Sequence, residues 1–141
     1  MKNLVENNIK YSKILKGIAI LLRPYESAMT VAVRQRDTYC LYTGNLQDTR
    51  SVLFVAVQIM VEGVVLTHYQ SSKETLHYAK LPKRLLEFKN GNNRFIFTKL
   101  SLASKNDLKL LFSSLFDKYK LERANGDLHS KVSHIDIITQ N

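Results

Sequence analysis

Val52-Leu53-Phe54-Val55-Ala56-Val57-Gln58-Ile59-Met60-Val61, a turn at Glu62-Gly63, and Val64-Val65-Leu66-Thr67-His68-Tyr69 make the stretch whose reading decides the fold. A strand with one wet face alternates apolar and polar residues; these two runs are apolar nearly throughout, so both faces of the hairpin are expected to be covered. A small antiparallel sheet ordinarily leaves one face in water. Something must therefore lie over the other, either a helix of the same chain or a second subunit. The apolar stretch is also broken by Gln58 and Glu62-Gly63. It falls short of the roughly 20 apolar residues a membrane-spanning helix needs, so any membrane contact is expected to be peripheral.

Upstream, Thr30 to Arg36 and Thr38 to Thr43 read as two strands with a tight turn near Arg36-Asp37, and Gly44-Asn45 opens a polar loop through Asp48. Alternation puts Val31 and Val33 on one face of the first strand, with Ala32, Arg34 and Arg36 on the other. Ile14 to Leu22 reads as a strand stopped by Arg23-Pro24, with a short helix as the alternative. Downstream, Glu74 to Leu81 reads as a short helix ended by Pro82, and Leu85 to Phe88 fits helix or strand. Asn90-Gly91 marks a turn, and Phe95 to Leu100 a strand. Leu108, Leu111, Phe112, Leu115, Phe116 and Tyr119 recur at helical spacing, which predicts an amphipathic helix over about Asn106 to Leu121. Ser104 or Asn106 can cap it, Asp107 suits its first turn, and Asn125-Gly126 can stop it. Val132 to Thr139 reads as a final strand. The expected fold is β-rich α+β: a small β-sandwich or mixed antiparallel sheet with one main amphipathic helix at about 106–121.

A chain of 141 residues that is 45% hydrophobic can build a real core and suits one domain. The lone cysteine, Cys40, allows no internal disulfide, which suits a reducing, intracellular setting. Met1 to Tyr11 lacks the apolar core of a signal peptide. Twenty-one Lys and Arg oppose twelve Asp and Glu, a net charge of +9. Such a balance points to an anionic partner.

The excess is densest in Lys80, Lys83, Arg84, Lys89, Arg94 and Lys99, against the single acid Glu87. These six are the predicted contact set for nucleic acid or acidic lipid, with Arg34 and Arg36 as a second patch. The plain alternative is a solvated surface. Phe95 and Phe97 share one strand face and are expected in the core; Phe88 is left for either packing or base stacking.

No catalytic signature competes with the basic stretch. Glu87-Phe88-Lys89 matches the half-motif of metal-dependent nucleases, but a divalent cation needs a second carboxylate; the nearest upstream acid is Glu74, and the nearest upstream Asp is the distant Asp48. His68, His77, His129 and His134 lack metal spacing, and His134 with Asp136 reads as a surface pair. Cys40, between Tyr39 and Leu41, reads as a buried inert thiol. The five glycines are scattered, so no phosphate loop exists. Tyr78-Ala79-Lys80-Leu81 matches sorting or budding peptides, with a buried Tyr and Leu as the stronger reading. The expectation is a protein without catalysis, metal or cofactor.

Arg94-Phe95-Ile96-Phe97-Thr98-Lys99-Leu100, followed by a Phe-rich helix ending Tyr119-Lys120-Leu121, resembles the small matrix proteins of bornavirus-like, non-segmented negative-strand RNA viruses. The detailed likeness lies mainly in residues 94–121, and the proline-rich budding motifs of some matrix proteins are absent. The resemblance implies a β-sandwich that self-assembles, lines the inner face of a membrane or envelope through a basic face, and touches RNA or nucleoprotein. The expected partners are thus a second copy, an anionic lipid surface and single-stranded RNA. The apolar hairpin is the natural oligomer interface, centred on Val52, Phe54, Ile59, Val61 and Val64. Two other readings stand beside it: a soluble nucleic-acid-binding regulator using the same cations, and a nuclease built on Glu87 and Lys89.

Overall fold

The computed structural model describes residues 2–44, 51–69 and 81–124. Helix α1 (Lys2–Leu22) leads through a 3-10 turn (Arg23–Ala28) into strands β1 (Met29–Arg34), β2 (Thr38–Thr43), β3 (Leu53–Met60) and β4 (Gly63–His68). The one-turn helix α2 (Lys83–Leu86), strand β5 (Arg94–Phe97) and helix α3 (Leu102–Ala124) follow. The strands form one antiparallel sheet in the order β1-β2-β3-β4-β5. This is the expected α+β fold in its single-sheet form, with a second long helix added. The short helix predicted at Glu74, the stop at Asn125-Gly126 and the strand at Val132 lie outside the described residues.

The added helix is α1, whose apolar end, Ile14 to Leu22, reads from sequence as a strand or a short helix. Its buried residues are Ile14, Leu15, Ile18 and Leu22, one stripe at helical spacing, while Lys13 and Lys16 fall on the opposite side. Taken alone, Ile14 to Leu22 is too apolar to show either period. The polar spacing that identifies a helix begins upstream, at Ile9-Lys10. Pro24 closes the helix because it occupies the first turn of the 3-10 segment, where its missing N–H costs nothing. Helix α3 begins earlier than predicted. Ser101, not Ser104 or Asn106, is its cap, its Oγ accepting the Ser104 N–H at 3.0 Å.

Both long helices pack on one side of the sheet. Ile14, Ile18 and Leu22 of α1 and Leu108, Leu111, Phe112, Leu115 and Tyr119 of α3 join Tyr39, Leu41, Val57, Leu66, Phe95 and Phe97 in a continuous core. The predicted covering of the hairpin is confirmed, with β3 buried from Leu53 to Gln58 and β4 throughout. On the helical side the cover is this chain's own helices. The other face holds a smaller buried cluster, Cys40, Tyr42, Leu53 and Ala56, to which no described helix contributes.

Two irregularities set where side chains go. The β2–β3 register slips between Leu41 and Tyr42, leaving Phe54 unpaired. Phe54 and Val55 both reach the helical core, and the Phe54 ring meets Tyr25 and Phe116 at 5.7 and 6.2 Å. A second slip, between Val31 and Val33, breaks the alternation read from sequence. Val31 packs on the helical core, whereas Val33 joins Ala32 against the opposite cluster. Arg34 is thereby aligned with Tyr39 on the helical side.

The oligomer interface read from sequence needs correction. Phe54 and Val64 are fully buried and Val52 nearly so, all inside this chain's own core, and Ile59 packs at its margin. Of the five predicted interface residues only Val61 is exposed, at the β3–β4 tip beside the partly exposed Met60.

That tip fixes a testable glycine. Gly63 has φ +144°, and a Cβ there would stand 2.8 Å from the Phe97 carbonyl oxygen of β5. Gly63→Ala is expected to lower unfolding free energy by about 2 kcal/mol or more in denaturant titration. Gly44→Ala, at φ +63° with open space around it, should cost only about 1 kcal/mol.

Candidate anion-binding surfaces

The predicted contact cations do not form one patch. Arg84 of α2 and Lys99, just after β5, line a cleft of about 400 Å³ with Glu87, Phe88, Leu100, Ser101 and Ser104. Lys83 is exposed beside Arg84 on the same helical turn. Arg94 points elsewhere. It pairs with Thr67 in the sheet and alternates with Phe95 and Phe97, which face the helices, so it lies on the opposite face, half-buried. Lys89 is exposed and bridges to Phe95 across the end of the sheet. Lys80 lies outside the described residues, as do Glu74, His77, His129, His134, Asp136 and most of the Tyr78 peptide.

Two of the arginines serve the fold. Arg84 grips Asp107 through Nε at 2.5 Å and Nη2 at 3.0 Å, and that carboxylate is almost fully buried in α3. The paired anion holds the guanidinium charged, raising its pKa above the usual arginine value. Arg34 donates to Glu26 at 2.9 Å and stacks over the Tyr39 ring at 5.6 Å. Tyr39 donates to the same carboxylate at 2.5 Å. The Tyr39 hydrogen bond, with Arg34 behind it, holds the Glu26 carboxyl below its ordinary range against a smaller opposing effect of burial. Burial first, and then this anionic partner, push the Tyr39 hydroxyl upward. Arg36, in the β1–β2 turn, is exposed.

A second basic surface escaped the sequence reading. Lys10, Lys13 and Lys16 stand exposed on α1, which carries no acid from Asn7 to its end. Ile9, Lys13, Lys16 and Ile20 follow one another at i, i+4, i+7 and i+11, a stripe opposite the buried one. Helix α3 adds to it at the helix crossing. The Lys105 side chain passes over Gly17, its Cε 3.5 Å from where a Cβ would stand, and Lys109 is exposed one turn on. The signal was present in the lysine spacing. Only helical geometry turns that spacing into one stripe.

Cys40 and His68, two of the residues weighed for catalysis or metal binding, are held inside the fold. Cys40 is buried, and desolvation pushes its thiol up to about 11. Glu87 is the only acid lining its cleft among the described residues. Among the described residues no three His, Cys, Asp or Glu side chains gather closely enough to hold a metal ion. His68 is buried against Phe95, its Nδ1–H donating to the Tyr69 carbonyl at 2.6 Å. Phe95 and Phe97 are core, and Phe88 packs its ring 4.8 Å from Phe97.

No protein-family model matches this chain, and no curated protein or solved structure is significantly similar to it.

Two measurements check this assignment of roles. Arg84→Gln should lower the thermal midpoint well below that of Lys83→Gln, because only the former strands a buried carboxylate. Desolvation, aided by Lys89, pushes His68 down to about 3 from 6.5. The unfolded chain therefore binds a proton that the native state refuses, and stability must fall as pH drops below 6.5. Denaturant titrations should show a loss approaching about 1.4 kcal/mol per pH unit between roughly pH 6 and pH 5, flattened in His68→Asn.

Proposed function

We propose that this chain is a non-catalytic docking protein of the matrix type, held by its lysines against an extended anionic surface. The membrane leaflet is the first partner, and RNA or nucleoprotein the second. The observation that carries this reading is the fate of the charges. The buried or half-buried acids Glu26, Asp107 and Glu122 are engaged within the fold, by Arg34 and Tyr39, by Arg84 and by Tyr69. Lys10, Lys13, Lys16, Lys83, Lys99 and Lys109 stand exposed.

The packing of the aromatic rings supports lipid over single-stranded nucleic acid. Among the described residues the large exposed hydrophobic side chains are Ile, Leu, Val and Met, with no aromatic among them. Single-strand binders stack bases on exposed rings, worth about 1–3 kcal/mol per base. The same surface has little to stack with and much to neutralise. Each lysine beside an anionic leaflet contributes about 1 kcal/mol, so a cluster of four or five gives roughly 4–5 kcal/mol. That is weak docking, strengthened by apolar insertion or by several copies acting together. Among the described residues no helix is long and apolar enough to cross a membrane.

Flotation with vesicles tests the reading. The protein should float with phosphatidylserine-containing vesicles at about 50 mM salt, weaken several-fold at about 300 mM salt, and stay at the bottom with purely zwitterionic vesicles. Tight, salt-sensitive retention of a single-stranded RNA with no flotation would favour the soluble regulator.

A further inference from the structure

We propose that the outward stripe of α1 is an interfacial docking surface for an anionic lipid bilayer. Ile9 and Ile20 enter the boundary between headgroups and acyl chains, while Lys10, Lys13 and Lys16, with Lys105 and Lys109 of α3, lie among the lipid phosphates and carboxylates. This deepens the docking function proposed above and rests on it, and it moves the contact away from the cleft cations.

Four features of the stripe point to lipid. First, α1 is amphipathic twice over. One stripe is buried in the core, and the opposite one carries lysines flanked by isoleucines that are 56% and 54% exposed. Second, the buried stripe clamps the helix on the sheet, so the outer stripe is a rigid, preformed plane and pays no ordering cost on contact. Third, its charge has one sign: α1 carries no acid from Asn7 to its end, and Lys105 lies across Gly17 at the helix crossing. A second copy of the same face would set lysine against lysine, which argues against this stripe as a homodimer seam. Fourth, lysines beside aliphatic side chains on a helix lying flat suit an interface, where the ammonium groups stay hydrated and the aliphatic stems and isoleucines sink. Nucleic acid gains little from exposed isoleucine and would call for arginine forks or aromatic platforms.

The chain contains no tryptophan, so Ile20→Trp supplies a single fluorescent reporter at the centre of the claim. Its emission should shift to the blue with phosphatidylserine-containing vesicles and stay unshifted with zwitterionic ones. In flotation, Lys13→Glu/Lys16→Glu should reduce retention by about tenfold or more. Lys83→Glu/Lys99→Glu should leave it within about twofold. Both double variants change exposed side chains, and unchanged circular-dichroism melts confirm that each folds. Loss of flotation in the Lys83/Lys99 variant alone, or an unshifted tryptophan in floating protein, overturns this assignment while leaving the docking function intact. Failure of the unaltered protein to float on any anionic vesicle overturns both.

Discussion

The architecture depends on the burial of one stripe of α1, Ile14, Leu15, Ile18 and Leu22, against a sheet that cannot leave its helical face wet. Val55, Val57, Val64, Leu66, Phe95 and Phe97 present a continuous apolar plane, and α3 alone covers part of it. Each fully buried aliphatic side chain contributes about 1.5–3 kcal/mol, so the α1 stripe carries a share comparable to the net stability of a small domain. The same packing settles what α1 shows to solvent. With one stripe fixed inward, Lys13 and Lys16 can only point out.

The polar groups follow from this constraint. The 3-10 turn after α1 delivers Glu26 to Arg34 and Tyr39, tying the helix end to β1 and β2. Near the far end of α3 the Tyr69 hydroxyl donates to the buried Glu122 carboxylate, and the Tyr69 ring meets Tyr119 edge-on at 6.2 Å. Near its start Asp107 holds Arg84 and with it the α2 turn. Glu26, Asp107 and Glu122 thus act as internal anchors, while Lys10, Lys13, Lys16, Lys83, Lys99 and Lys109 stand on the surface. This allocation supports the proposed docking to an anionic surface.

What the sequence reveals depends on whether a segment shows its period. The strands of the first hairpin, the apolar β3–β4 hairpin and the α3 stripe from Leu108 to Tyr119 were legible because alternation, uniform burial or helical recurrence ran across them. Ile14 to Leu22 was not, since a run with Lys16 as its single charge fits either period, and the lysines that complete its outer stripe lie upstream. The bulges that turn Phe54 inward and Val33 outward leave no mark in local sequence; pairing with a neighbour creates them. The cations were legible as an excess but not as a surface. Arg34 and Arg84 sit in the predicted patches yet are committed to Glu26 and Asp107, partners 8 and 23 residues away. Spacing along the chain cannot show such distant pairing.

Native-state hydrogen exchange tests the central claim most directly. If the α1 stripe closes the core, the amides of Leu15 to Leu22 exchange only by global unfolding, with the same protection as Val55 to Val57 in β3. Exchange of the α1 amides orders of magnitude faster than those of β3, in a protein otherwise fully folded, would mean that the helix is not part of the core. The outward lysine plane would then not be fixed at all.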